Sequence, residues 1–454
     1  MINIYDIAYL IGVTATAPFW LAHPRARHKV FKALRERMGY GSFRAGNAPA
    51  VMIHAVSLGE INATGAMVRA LADARPDLRF IVSSTTDTGY NRSREMYGSD
   101  DRVTLIRYPL DFTPAVNRVL NALRPDVVVL MELEIWPNFV RQCELRGIPV
   151  VLVNARLTTG SFRNYRLAGA LVRRTFRRLA FVCAQEQTYA DRFVVLGVPP
   201  RRVRLTGTMK FDNAQVANQI EGVAELAKAV GLRPGSEPIW VCGSTGPGEE
   251  GILLGIYRQL IGRCPSLRLV LVPRKPERFD DVAELIRNEG FDLIRRSQSQ
   301  MAAWQSQIAN RKSQIPVVLG DTMGELRKFY SLADVVFVGR TLVDLGPRQH
   351  GSDMIEAAAL GKPVIVGPFT GNFAEVMSCF RASDAIREVK TSDELRAQVE
   401  VLLADRQESS AMARRAQDVV RREQGATARH VAVILEQLQQ GLNRAQIQER
   451  YNCV

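Results

Sequence analysis

Short, nearly continuous apolar runs alternate along the chain with longer stretches in which apolar residues recur at helical spacing. In the first half the runs cover 50–56, 79–84 (RFIVSS), 103–106 (VTLI), 126–131 (DVVVLM), 149–153 (PVVLV), 180–184 and 203–206. Val, Ile and Leu without polar alternation predict strands covered on both faces, and therefore a parallel sheet flanked by helices. The pattern resumes in PIWVCGSTGPGEE (238–250), LRLVLVPRKPERF (267–279), VVLGDTMGELRKFYSLADVVFVGRT (317–341) and HGSDMIEAAALGKPVIVGP (350–368). The prediction is an α/β chain with two Rossmann-like domains, 49–220 and 236–390, joined by a linker over 221–235. Residues 1–48 form a separate apolar and basic segment. Charged helical sequence over 391–454 is expected to pack back on the domains. Residues 295–316, rich in Ser and Gln, read as a surface loop.

Polar residues cluster where these strands end, which is where open α/β sheets keep their ligands. VMIHAVSLGEINA (51–63) places Glu60 where a strand hands over to a helix bearing Ile61, Met67, Val68 and Leu71 at helical spacing. Such an acid has two readings. It is a first-turn residue favoured by the helix dipole by about 0.3–1 kcal/mol, or a general base at the mouth of a cleft. ELEIWPN (132–138) follows the fourth strand. On an extended segment Glu132 and Glu134 face the same side, as site acids or with Glu134 paired to an arginine. Lys210, in GTMKFD (207–212), is poised for an anion or is a solvated turn lysine.

In the second half, GSTGPGEE is neither a P-loop nor a dinucleotide fingerprint, although N–H groups at such a helix start suit a phosphate. Arg274 and Lys275 end a strand, and an arginine there suits the paired hydrogen bonds of phosphate recognition. Met323, Gly324 and Glu325 make a turn before a helix. A helix opening near Asp353 and carrying Glu356 suits ribose hydroxyls, or carries a plain first-turn acid.

Composition narrows the partners. A chain of 454 residues, 46% hydrophobic and 23% charged, has room for two cores. A formal charge of +14 and a pI of about 9.8 point to an anionic membrane surface or a phosphorylated substrate. Nucleic acid is not expected, since no zinc finger, RNP or basic-zipper pattern occurs. The six cysteines are scattered, without CxxC or Cys/His clusters, so no metal site or disulfide framework is expected. Residues 7–22 are apolar or weakly polar, interrupted by Pro18, and short of the roughly 20 residues that cross a bilayer. Arg25, Arg27, Lys29, Lys32, Arg35 and Arg37 follow, against the single acid Glu36. No basic region precedes the run and no A-x-A site closes it, so a cleaved signal is not expected. The segment is either a helix packed on the first domain or a membrane anchor or interfacial helix drawn to anionic lipid. In the second case the domains face the cytoplasm. Arg163, Arg166 and RRTFRR (173–178) make a basic helix, either a solvated face or a headgroup-docking one.

Ten blocks occur in order: HAVSLGE, SSTTDTGY, YPLDF, ELEIWPN, NARL, GTMKFD, GSTGPGEE, PRKPERF, GDTMGELRKFYSLADVVFVG and EAAALGKPVIVGP. On these the chain, over most of its length, resembles the 3-deoxy-D-manno-octulosonate (Kdo) transferases. These are GT-B glycosyltransferases of lipopolysaccharide biosynthesis that attach Kdo from CMP-Kdo to a lipid A precursor at the inner membrane. The resemblance implies two Rossmann-like domains facing a cleft, an N-terminal membrane-associated helix, and an inverting single displacement with no cofactor and no metal. It implies Glu60 as general base, with Glu132 or Glu134 and Lys210 supporting the transition state. It implies that Pro273, Arg274, Met323, Gly324, Glu325, Asp353, Met354, Ile355 and Glu356 hold CMP. The match departs in LGPRQHGSDMIEAAA, where the turn is longer than usual and Asp353 replaces an Asn, and at Arg340, where glycine is common. These departures leave room for a related CMP-sugar acid. Two other readings stay open: a sugar-nucleotide epimerase of similar architecture, and a non-catalytic nucleotide-binding membrane protein.

Overall fold

The computed structural model describes residues 3–23, 33–41, 46, 48–218, 220–298, 316–346, 349 and 351–452. Arg25, Arg27, Lys29, Lys32, Cys453 and most of the Ser/Gln-rich stretch lie outside them. The other five cysteines are free thiols. Two units make up the chain: Met1–Asn213 with Gly425–Val454, and Ala214–Gln424.

The first unit is a parallel sheet of β1 (Ala50–His54), β2 (Arg79–Ser84), β3 (Val103–Arg107), β4 (Val127–Met131), β5 (Val150–Ala155), β6 (Phe181–Ala184) and β7 (Val203–Leu205). Their order is β3-β2-β1-β4-β5-β6-β7, and each apolar run of the sequence is a strand. Both faces are covered, as near-continuous Val/Ile/Leu runs require. Met52, Ile81, Val128 and Leu130 pack with Phe139, Phe176 and Phe193. Val51, Ile53, Val127 and Val129 face the other way, onto Ile61, Met67 and Leu71 of the helix Leu58–Ala74. That second layer is completed by Val431, Ile434 and Leu438 of the last helix, Ala426–Asn452.

The second unit repeats the plan with β8 (Ile239–Thr245), β9 (Arg268–Pro273), β10 (Asp292–Arg295), β11 (Pro316–Leu319), β12 (Val335–Val338), β13 (Val364–Val366) and β14 (Arg387–Glu388). The order is β10-β11-β9-β8-β12-β13-β14. In each unit the first strand lies inside the sheet, so the winding reverses beside it: between β1 and β4, and between β8 and β12. Such switch points open a crevice at the carboxyl ends of the strands.

The amino-terminal helix, Ile4–Ala22, is fastened to the first unit at its start. The Asn3 amide donates to Thr113 Oγ1 and Asn138 Oδ1, both at 2.9 Å, and Asp6 accepts the Thr113 N–H at 2.7 Å. Tyr5 donates its hydroxyl to the Leu171 carbonyl at 3.3 Å. Beyond this foot, Ile7, Leu10, Ile11, Phe19 and Leu21 are exposed. Pro18 is contained within the helix rather than breaking it. Among the described residues no helix is long and apolar enough to cross a membrane.

Candidate active site

Past β1, Ser57 caps the helix Leu58–Ala74. Its Oγ accepts the Glu60 N–H at 3.2 Å, and the Glu60 carboxylate accepts the N–H groups of Val56 (2.9 Å) and Ser57 (3.3 Å). This is a capping box. A carboxylate has about four lone-pair sites, so the box orients this half-buried group and leaves it acceptor capacity. The two readings of Glu60 thus meet in one geometry, a helix turn that fixes a carboxylate at the switch point.

After β4 the chain does not stay extended. Glu132 turns left-handed at φ 53° while its N–H donates to the Val153 carbonyl at 3.0 Å, and the Glu134 N–H reaches Met131 O at 3.3 Å. The expected alternation of Glu132 and Glu134 is therefore lost, because a left-handed residue breaks the pleat and Leu133, Ile135 and Trp136 fold onto the core. Glu134 accepts the Trp136 indole N–H at 3.1 Å rather than an arginine. Burial pushes its carboxyl above the ordinary range against that hydrogen bond, and the Glu60 charge adds to the rise. Glu60 and Glu134 are thus electrostatic neighbours.

Lys210 follows β7, at the sheet edge, but its loop is drawn inward. Asn154, at φ 49° where β5 shifts register against β6, accepts the Met209 N–H at 3.2 Å through Oδ1. Its own N–H donates to His430 Nε2 at 2.9 Å, so the last helix fixes the turn beside Lys210. Burial lowers the His430 pKa to about 4. Two YPLDF residues are structural. Tyr108 stacks on buried His54 at 3.7 Å, and Asp111 accepts the N–H groups of Asn138 (3.1 Å) and Phe139 (2.8 Å), capping the helix Pro137–Leu145.

In the second unit the acids of GSTGPGEE are scaffolding. Glu249 is fully buried and accepts four main-chain N–H groups: Gly246 at 2.8 Å, Arg340 at 2.6 Å, and Thr341 and Leu342 at 2.9 Å. It staples the loops after β8 and β12 together. Glu250 holds Arg278 with two hydrogen bonds of 2.7 and 2.8 Å. No sequence signal separates these acids from ordinary first-turn residues.

Pro273 ends β9 buried, and Arg274 is exposed beyond it, its N–H donating to Thr245 O at 3.1 Å. Asp353 caps the short helix Ile355–Ala359 by accepting the Ile355 N–H at 2.8 Å. Burial, and then Asp353, raise the pKa of half-buried Glu356, opposed by the charges of Arg327 and Arg274. The 274 and 353–356 segments are thus brought together. Met354 and Ile355 point into the core, so only their main chain can meet a ligand. Met323 is 67% exposed and Gly324 has φ 84°. The Glu325 carboxylate is engaged by Arg296 at 2.9 and 3.1 Å.

Four non-glycine residues in the left-handed region sit at strand ends: Glu132, Asn154, Ser244 and Arg340. Asn154 and Ser244 coincide with register shifts in β5 and β8. Bulges and backbone strain gather next to active sites. Among the described residues no group of three His, Cys, Asp or Glu is placed to hold a metal.

Two parallel α/β units in one chain define the GT-B class. A glycosyltransferase from Rickettsia africae ESF-5 shares the fold, with a TM-score of 0.54 at 12% identity over 87% of this chain and 99% of that one. So does a UDP-GlcNAc 2-epimerase from Neisseria meningitidis bound to UDP-GlcNAc, with 0.53 at 14% over 86% and 100%. Fold alone therefore leaves the chemistry open. Residues 32–213 match the family described as 3-deoxy-D-manno-octulosonic-acid transferase (kdotransferase), and residues 302–437 match glycosyl transferase-like sequences. The 3-deoxy-D-manno-octulosonic acid transferase of Haemophilus influenzae is 34% identical over 89% of this chain and 90% of its own. The chain belongs to the 3-deoxy-D-manno-octulosonic acid transferase family and is a glycosyltransferase.

Proposed function

We propose that the protein transfers Kdo from CMP-Kdo to a lipid A precursor in lipopolysaccharide biosynthesis, with inversion, and that Glu60 is the base. The observation that carries this reading is the Glu60 carboxylate, held by the Val56 and Ser57 amides at the switch point beside Glu134. The acceptor hydroxyl oxygen bonds to the anomeric carbon as the bond from that carbon to the phosphate oxygen breaks. Its proton passes to Glu60, and CMP departs with the electron pair. Lys210, with Glu132 or Glu134, supports the transition state. Arg274, Glu356 and the main chain of 323–325 and 353–355 hold the nucleotide, and fixed cations and N–H donors favour the charge that develops on it.

The acceptor is a lipid, and one face of the first unit suits a membrane. Exposed Leu10, Ile11 and Phe19 lie on a helix bonded to Leu171, on the 169–176 helix that displays Arg173 and Arg174. We assign this face to the anionic cytoplasmic leaflet of the inner membrane. Incubation with CMP-Kdo and a lipid A precursor is expected to yield products heavier by Kdo, read by mass. A different added mass reassigns the donor. Glu60→Gln is expected to lose about 10²–10⁴-fold in transfer while still binding CMP, and full turnover by that variant removes Glu60 as base.

A further inference from the structure

Arg340, one residue past Gly339, takes φ 60°. A side chain in that left-handed conformation costs about 1–2 kcal/mol that glycine would not. The surrounding bonds hold it there. Its N–H is gripped by Glu249 at 2.6 Å, and its carbonyl accepts the Gly351 N–H at 2.8 Å. The side chain lies half-buried across Gly246, where a Cβ would meet Arg340 Cγ at 2.9 Å. Among the described residues no carboxylate pairs with this guanidinium. The nearby Glu249 is already filled by four amides.

On the other side of β8 stands Arg274, bonded through its N–H to Thr245 and likewise without an ion-pair partner among the described residues, though Glu356 lies within its field. Gly339 abuts the same Thr245, so closely that a Cβ would come within 2.5 Å of Thr245 Cα. The two arginines therefore flank the end of β8 from its neighbours β9 and β12. Burial, and then the charge of Arg274, lower the Arg340 pKa. Two crowded cations at a switch point, neither ion-paired among the described residues, suit a ligand with two anionic groups.

A CMP-linked sugar acid has two such groups on one anomeric carbon, the phosphodiester and the carboxylate. We propose that Arg340 is a specificity-determining residue of the donor site, pairing with the carboxylate of the sugar acid while Arg274 holds the phosphate. This rests on the CMP-sugar reading above. A neutral sugar on the same nucleotide leaves Arg340 desolvated and unpaired, and is selected against.

The test is steady-state kinetics of the full chain, with CMP as product inhibitor. Arg340→Gly is expected to raise KM for CMP-Kdo about tenfold, the loss of one charge-assisted pair. Inhibition by CMP, which has no carboxylate, stays within about twofold, and the thermal midpoint does not fall, since glycine relieves the backbone. Arg340→Lys recovers part of the loss, and Arg274→Ala weakens both donor and CMP. An unchanged KM in Arg340→Gly overturns the proposal, and so does a parallel loss of CMP inhibition, which would make Arg340 a phosphate ligand. A wild-type enzyme inert with CMP-Kdo overturns the donor reading and this assignment together. Wild-type turnover without an Arg340 effect overturns the assignment alone.

Discussion

Glu60 and Glu249 occupy equivalent places, in the first turn of the helix that follows the first strand of their unit, yet their surroundings differ. Glu60 is half-buried and, among the described residues, bonds to its own turn alone. Glu249 is fully buried and spends both oxygens on amides from two loops. Glu249→Ala strands four N–H groups, each costing about 1–3 kcal/mol when left unpaired and dry. Some recover water, so the expected loss is about 3 kcal/mol or more, read as a lower urea midpoint with an unchanged slope. Glu60→Gln keeps a carbonyl for the Val56 amide, and its stability should stay within about 1 kcal/mol of the parent. If that variant loses activity, the loss belongs to chemistry rather than to folding.

At the scale of elements, three buried titratable groups join the strands and helices of the first unit, and they oppose one another with pH. Burial lowers the pKa of His54 to about 3 and of His430 to about 4, and raises Asp111 to about 6. The unfolded histidines take up protons below about pH 6.5 while the native ones do not. Their stabilisation is therefore present above that pH and fades as pH falls toward 4. Asp111 runs the other way, because the native carboxyl is protonated near pH 6 and the unfolded one only near 3.9. Between pH 6 and 4, two protons on the unfolded chain stand against one on the native, a net loss of about 1.4 kcal/mol per pH unit. Urea unfolding at pH 6 and pH 5 checks the slope, and Asp111→Asn should steepen it toward two protons.

Much of this layer was legible in the sequence. Val127–Met131 reads as a strand because both faces of a parallel sheet demand apolar side chains, whatever its neighbours. The turn at Glu132 was not legible, because glutamate carries no signal for a left-handed φ. Nor was the bond from His430 to Asn154, which joins residues far apart in the chain and depends on where the last helix docks. Glu60, Arg274 and Glu356 stood out because strand ends are short and polar. Glu249 looked the same and proved to be a staple, since its four partners are amides, which every residue but proline possesses.

The molecule as a whole carries +14, and its exposed apolar residues include Phe19 and Leu167 of the first unit. Co-sedimentation with anionic vesicles is the expected behaviour, stronger at low salt because surface charges are screened within about 10 Å at 0.1 M. Neutral vesicles should retain less. Equal binding to both, insensitive to salt, would reduce the basic helices to a solvated face.

The chain leaves its first unit after Asn213 and re-enters it at Gly425. The strands β4 and β5 therefore wait for Val431, Ile434 and Leu438 until the whole second unit has been synthesised. On the ribosome the part made first is the part finished last. Until its carboxyl end emerges, the nascent chain leaves the apolar layer beside the helix Leu58–Ala74 incomplete over Val127, Val129, Val151 and Val153, a surface of the kind chaperones bind. A stop codon at Gly425 would spare every residue of the second unit's sheet and still leave the unit that carries Glu60 open to aggregation.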